Sequence, residues 1–235
     1  MAAAVTLWLQ KQYEPCRLVE LSSTVVKGAD VELACLDLEG VLVSEIWIEF
    51  AERTGIDELK ATTRDIPDYD VLMTQRLHLL EQHQLGLPQI HEVIAAMQPL
   101  EGAKDFLDWL REHFQVIILS DTFYEFSQPL MRQLGWPTLF CNSLTVDEAG
   151  RVLGYSLRQK DQKRQAILAL QTLYYRTIAA GDSYNDISML HQADAGILFR
   201  APQIVTDQFP HFPTAQNYRE LKQAFTAASS RSLSA

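Results

Sequence analysis

Cysteine is scarce in this chain: there are three, Cys16, Cys35 and Cys141, with no C-x-x-C pair among them. That set builds neither an even disulfide framework nor a cysteine metal site, so reduced, mostly buried thiols and a cytoplasmic setting are expected. Basic residues are also in deficit, 20 Lys and Arg against 30 Asp and Glu, for a formal net charge of -10. With no Lys/Arg block, a nucleic-acid groove or an anionic membrane surface is excluded as the main partner, although a bound cation could still reverse the field locally for an anionic small substrate. No apolar run reaches the length of a membrane span. The apolar opening residues 1–9 lack the basic flank and the cleavage site of a signal peptide. The six histidines show no ligand spacing, and His78 and His83 are expected to be exposed. Internal repeats and low-complexity tracts are missing, and the Ser-rich tail after Ala227 is expected to fray.

What is present is ordinary for a globular protein: 235 residues, 47% hydrophobic and 21% charged, enough for one α/β domain with a sizeable insertion. Residues 1–30 carry no nameable motif. They read as an extension, with a short strand conceivable at 16–26 and a natural start at a GTG-encoded Val31 as the expectation. Apolar patterning predicts strands at 31–36, 116–119, 138–141, 177–180 and 195–199, and a hairpin over 144–157 turning at Asp147-Glu148-Ala149-Gly150. The second strand is expected to stop at Ser120-Asp121-Thr122. Helices are predicted at 45–53, 71–83, 88–97, 104–113 and 163–174, with another ending at Leu134-Gly135. Alternation of strands and helices implies a doubly wound, Rossmann-like parallel sheet. The strandless stretch 44–98 reads as an inserted α-helical cap, leaving 31–43 and 99–235 as the core domain. Trp47, Trp109 and Trp136 are expected to be packing residues.

Chemistry is concentrated where strands end. Asp37-Leu38-Glu39 closes the first strand, and alternation sends Asp37 and Glu39 to one side. Alone, such a pair could be a solvated strand-to-loop junction. It could also divide labour, one carboxylate attacking while the other moves protons. Ser120 and Asp121 follow the second strand, and Gly181-Asp182 with Asn185 and Asp186 follows a later one, so a parallel sheet brings all of them to one edge. Asp37, Asp182 and Asp186 crowded together repel unless a hard cation neutralises them, and an all-oxygen donor set suits Mg²⁺. Asn185 can donate to a ligand without adding charge.

In order, D-L-E-G-V, Ser120, Lys160 or Lys163, and G-D-S-Y-N-D resemble the four motifs of the haloacid dehalogenase superfamily of phosphatases. The early helical cap and the G-D-x-x-N-D form are similar to phosphoserine phosphatases. The runs C-L-D-L-E-G-V-L-V, T-T-R-D-I-P-D-Y-D, S-D-T-F-Y-E-F-S-Q-P-L-M-R-Q-L-G and A-A-G-D-S-Y-N-D resemble the ThrH type, which can also transfer phosphate from phosphoserine to homoserine. The resemblance implies Asp37 as nucleophile and Glu39 as general acid and base. It implies Mg²⁺ held by Asp37, the Glu39 carbonyl and Asp182, with Asp186 acting through water. Ser120, the Asp121 amide and Lys163, or alternatively Lys160, would hold the phosphate. Glu45 would receive the substrate's amino group, Arg76 its carboxylate, and Asn185 would reach the substrate beside the metal. Glu39 stands where most of the superfamily's phosphatases have Asp, which leaves the balance between water and an alcohol acceptor open. Small-molecule substrates, L-phosphoserine and L-homoserine, are the implied partners, with room for a homodimer. Two readings compete: a broader small phospho-monoesterase, and a receiver-like phospho-acceptor domain, against which Glu39 and the cap argue.

Overall fold

A computed structural model describes residues 31–62, 65–66 and 68–232. The expected extension 1–30, with its strand at 16–26 and Cys16, lies outside the described residues. The chain opens on β1 (Glu32–Leu36), continues through α1 (Ile46–Thr54), α2 (Tyr69–Gln82) and α3 (Leu87–Ala95), and then α4 (Ala103–His113), β2 (Gln115–Phe123), α5 (Tyr124–Gln133), β3 (Thr138–Val146) and β4 (Val152–Ser156). There follow α6 (Gln162–Thr172), β5 (Arg176–Gly181), α7 (Ile187–Gln192), β6 (Ala195–Phe199), α8 (Gln203–Gln208), β7 (Thr214–Ala215) and α9 (Tyr218–Ala228). The sheet runs β4-β3-β2-β1-β5-β6-β7, parallel throughout except for the antiparallel edge strand β4. It is the α/β, doubly wound, Rossmann-like sheet expected from the strand and helix pattern.

Strand alternation explains why helices cover both faces. Ala34 and Leu36 of β1 enter one apolar cluster while Leu33 and Cys35 enter the other, so a central strand has no polar side to show to water. The chain winds from β1 to β2 and β3, then returns to place β5 on the other side of β1. That reversal opens a crevice at the carboxyl end of β1, the usual ligand position in such sheets.

Helices α1 to α3 lie between β1 and β2 in sequence, and the two strands of chain leading to and from them run together, with Leu100 N–H donating to Leu42 O at 2.9 Å. Apolar residues of this segment, Phe50, Met73, Leu80, Ile90 and Ile94 on the helices and Leu59 in the turn between α1 and α2, belong to the same cluster as Leu36, Phe106 and Phe225 of the sheet side. The β3–β4 hairpin grips this helical segment from outside. Leu87 N–H donates to Gly150 O at 2.7 Å, and the Tyr155 hydroxyl donates to Asp70. Gly150 holds φ +82°, and a side chain on Gly86 would meet its carbonyl at 2.7 Å, so glycine is required on both sides of this contact.

Four expectations need correction. β2 does not stop at Ser120: after an irregularity between Leu119 and Phe123 it re-pairs with β3 at Phe123↔Asn142, so Ser120 and Asp121 sit in a bulge within a strand. The third strand does not end at Cys141 but runs on to Val146 as the first arm of the hairpin. Trp136 does not pack; it is 59% exposed at φ +53°, in the turn after α5. Finally, the tail beyond Ala227 does not fray at residues 229–231. The buried Glu32 carboxylate accepts from the Ser229 hydroxyl, from Ser230 N–H at 2.8 Å and from Arg231 Nε at 3.2 Å, and Arg176 Nε lies 3.2 Å away. α7, α8 and β7 are too short to be read from sequence, whereas α9 was missed despite its Asn217 cap and the buried face of Tyr218, Leu221 and Phe225.

Burial works against the Glu32 charge, but the Ser229, Ser230 and Arg231 bonds prevail and hold its carboxyl below the usual range. A depressed carboxylate contributes stability that is complete above its unfolded-state value of about 4.3 and is lost as pH falls through the folded one. Glu32→Gln is therefore expected to lower stability at pH 7 by on the order of 2 kcal/mol, less than for a fully buried pair because both arginines keep about a third of their exposure. In urea titrations, the gap between wild type and variant should hold at neutral pH and close below about pH 4.

Candidate active site

Asp37 follows β1 directly, and its own N–H extends the ladder by donating to Ala180 O at 3.0 Å. The carboxylate is therefore fixed at the crevice between β1 and β5, where it is 4% exposed. Lys163, in the first turn of α6, reaches it from below: Nζ lies 2.9 Å from Asp37 Oδ1, 2.7 Å from Asp186 Oδ1 and 3.6 Å from Asp121 Oδ2. Lys160 is exposed outside this nest, which distinguishes the two lysines that sequence alone left open. Asp186 is fully buried, and its other oxygen accepts from the Asp182 and Ser183 amides at 2.9 and 3.2 Å.

Ligand atoms of Asp37, Asp182 and Asp186 lie within 4.8 Å of one another. Burial, then Asp186, push the Asp37 carboxyl well above the usual carboxylate range. The same two causes push Asp182 up to about 7. Lys163 is lowered by burial but raised by Asp186, Asp37 and Asp121, and the carboxylates win, keeping it charged. One ammonium cannot balance this many carboxylates, so the cluster has the charge and the hard-oxygen donors that Mg²⁺ needs. Asp37 and Asp182 are free to ligate; Asp186 has one oxygen on Lys163 and the other on two amides. Space for Asp182 is kept by Gly40 at φ +75°, where any side chain would overlap the Asp182 carboxylate.

Glu39 lies half-buried on the opposite wall. Its Oε2 accepts from Ile46 N–H at 2.8 Å, so the carboxylate is anchored to the first turn of α1. Burial, followed by the charge of Glu45, raises its carboxyl to about 8. Glu45 lines the cavity from the N-cap of α1 and is exposed. Arg76 is buried on α2, with Nη2 donating to Ala61 O at 2.8 Å and the guanidinium 4.5 Å from the Trp47 ring centroid. Its Nε is buried with no hydrogen-bond partner among the described residues. An orphaned cationic donor beside a cavity calls for an anionic ligand.

Ser120 is buried, its hydroxyl accepting from Thr122 N–H at 3.2 Å, and its carbonyl accepts from Gln162 Nε2 at 2.8 Å. The Asp121 carboxylate, which sequence reading left unused, accepts from Gln162 Nε2 at 2.9 Å and Asn185 Nδ2 at 3.1 Å. All ten sequence-selected residues line, or directly support, one cavity of about 410 Å³. Asp186 is the one that supports from behind. A larger cavity, about 740 Å³ between α2 and the hairpin, touches none of the acidic cluster. Sequence reading missed Gln162, Trp47, Tyr69 and Tyr184; Tyr69 and Tyr184 carried a signal, as parts of the T-T-R-D-I-P-D-Y-D and A-A-G-D-S-Y-N-D runs.

A family model described as a haloacid dehalogenase-like hydrolase matches residues 31–194. Phosphoserine phosphatase ThrH of Pseudomonas aeruginosa is 68% identical over 204 residues, 87% of this chain and all of that one. A phosphoserine phosphatase of Pseudomonas syringae pv. tomato is 66% identical over 203 residues, 86% of each chain. Among solved structures, an apo phosphoserine phosphatase superposes with a TM-score of 0.67 at 22% identity, covering 82% of this chain and 98% of that one. A phospho-aspartyl intermediate analogue of phosphoserine phosphatase gives 0.67 at 21% identity, covering 83% and 98%. At these identities the structures show the fold.

The Gly40 contact yields a direct check on the cation site. Gly40→Ala should push the Asp182 carboxylate aside and weaken Mg²⁺ binding by about 10- to 100-fold, the range seen when a ligand's support is lost. Mg²⁺-dependent thermal shifts of wild type, Gly40→Ala and Asp182→Asn measure it; an undiminished shift in both variants would place the cation elsewhere.

Proposed function

The chain belongs to the haloacid dehalogenase-like hydrolases, and from that premise we propose that it hydrolyses L-phosphoserine through a phosphoryl group carried on Asp37, and also passes that group to L-homoserine. The observation that carries the reading is the buried Asp37 carboxylate, bonded to Lys163 inside the Asp182–Asp186 cluster at the sheet's crevice. The 68% identity to a protein named phosphoserine phosphatase ThrH supports the choice of substrate.

Helices α1 to α3 act as the cap over the core domain. Asp37, the Glu39 carbonyl and Asp182 would hold Mg²⁺, with Asp186 behind them, and the cation would neutralise phosphate charge and keep Asp37 deprotonated. Arg76 Nε takes the substrate carboxylate and Glu45 its ammonium, which aims the phosphate at Asp37. Ser120, the Asp121 amide and Lys163 hold the non-reacting phosphate oxygens, and Asn185 reaches the substrate from the metal side. Asp37 Oδ attacks phosphorus, the P–O bond to serine breaks, and Glu39 gives its proton to the departing oxygen. Glu39, now a carboxylate, takes a proton from water or from the homoserine hydroxyl as that oxygen attacks phosphorus and frees Asp37. The anchor on Ile46 N–H keeps Glu39 facing the bond being broken. A cytoplasmic setting accompanies this reading.

Phosphorus NMR of the enzyme with Mg²⁺, phosphoserine and homoserine should show inorganic phosphate and homoserine phosphate together, and Asp37→Asn should show neither. Because Glu39 is a proton donor only below its raised value of about 8, kcat for hydrolysis should fall as pH rises through that region. Glu39→Gln should lower kcat by roughly 10²- to 10⁴-fold and remove this limb. A flat profile across pH 7 to 9 in wild type, read as initial rates, would remove Glu39 from the role.

A further inference from the structure

A second cavity of about 590 Å³ adjoins the reaction cavity. The two share four lining residues: Tyr69, Asp121, Lys163 and Asn185. Three of these belong to the core and are linked, Asn185 Nδ2 donating to Asp121 Oδ2 at 3.1 Å with Lys163 Nζ 3.6 Å from the same oxygen. They make a fixed, hydrogen-bonded base. Tyr69 is the single contribution from the helical segment among the described residues, so its ring completes the partition from the other side.

The ring is held by packing. Tyr69 opens α2, and its ring meets Tyr155 of β4 edge-on, centroids 5.9 Å apart at 83°. Tyr155 is tethered in turn by its hydroxyl on Asp70. Tyr69, Leu72 and Arg76 stand at i, i+3 and i+7, so the face of α2 that presents the orphaned Arg76 Nε also presents the Tyr69 ring. A substrate carboxylate drawn to Arg76 therefore has the ring beside it. Beyond the ring the side cavity is lined by Asn142, Gln159 and Lys160, and by Gln162, whose buried Oε1 has no partner among the described residues. With Leu157 and Asp161 completing its walls, the side cavity can seat an extended chain and offers the amides of Asn142, Gln159 and Gln162 to a peptide bond in it.

We propose that Tyr69 sets the size limit on the substrate: its ring closes the reaction cavity against amino-alcohol phosphates extended at the carboxyl end, and an opened partition would admit the extension into the side cavity. The inference rests on the reading of Arg76 as the carboxylate anchor. The ring acts as a wall, with no part in bond making or breaking.

The test compares kcat/KM for phosphoserine and for the dipeptide phosphoseryl-glycine in wild type and in Tyr69→Phe, Tyr69→Leu and Tyr69→Trp, with melting temperatures to certify folding. Tyr69→Leu keeps an apolar side chain against Tyr155 while removing the outer ring, and should raise the dipeptide-to-phosphoserine ratio about tenfold or more, the scale on which a pocket reads added bulk. Tyr69→Phe should leave the ratio where wild type has it, and Tyr69→Trp should lower it. A ratio unmoved in the folded Leu and Trp variants, or a Phe variant that behaves like Leu, overturns the wall. Wild type that releases phosphate from neither compound instead defeats the phosphoserine reading and this inference with it, whereas active wild type with an unmoved ratio defeats Tyr69 alone.

Discussion

The ammonium of Lys163, buried among the carboxylates of Asp37, Asp186 and Asp121, is the contact on which the rest of the site depends. It joins the ends of β1 and β5, the bulge in β2 and the start of α6 through one atom. Coulomb attraction at such distances is large only where water is excluded, and the residues concerned are held there by a sheet whose central strand is apolar on both faces. The fold thus creates the low-dielectric place, and the charges in it would scatter without the lysine. Three carboxylates against one ammonium leave negative charge over, which gives a structural knot the charge that a hard cation would offset. Stability and chemistry draw on the same atoms here.

Around this knot the polar groups divide by element. The sheet side supplies the groups placed to meet a phosphate or a cation: Asp37 and Asp182 just beyond the ends of β1 and β5, Asp186 a few residues later, Ser120 and Asp121 in the bulge of β2, and Lys163 in the first turn of α6. The helical side supplies those suited to the organic part of a substrate, Glu45, Trp47, Tyr69 and Arg76. Glu39 spans the two, attached to β1 by sequence and to α1 by its bond to Ile46 N–H. An aspartate would end one methylene short of that position. The longer side chain lets a core residue take its orientation from the helical segment, so where its carboxylate points depends on how that segment is seated.

Sequence made the central strands and the acidic residues readable because both depend on local rules. A short apolar run closing on a carboxylate, as residues 33–36 do on Asp37, can be read without knowing the neighbours, and Asp37, Asp182 and Asp186 follow from convergence of parallel strand ends. What escaped depends on distant partners. The bulge that holds Ser120 and Asp121 inside β2 is set by re-pairing with Asn142, and nothing between Leu119 and Phe123 announces it. The ordered tail is set by Glu32, some two hundred residues earlier. Trp136 reads as a packing residue by type, but a left-handed turn carries it outward. Lys160 and Lys163 look alike in sequence, and only the distant carboxylates of Asp37, Asp121 and Asp186, which gather around Lys163 and leave Lys160 exposed, tell them apart.

The paired glycines Gly86 and Gly150 give the hairpin and the helical segment a shared history. Each leaves room for the other's segment, since a side chain at Gly86 would strike the Gly150 carbonyl and one at Gly150 would press on the Pro88 ring. A substitution at either position spoils a contact made by both, so neither can drift alone. The tip of one excursion from the core and the joint of another are thus each confined to glycine by the chain that faces it.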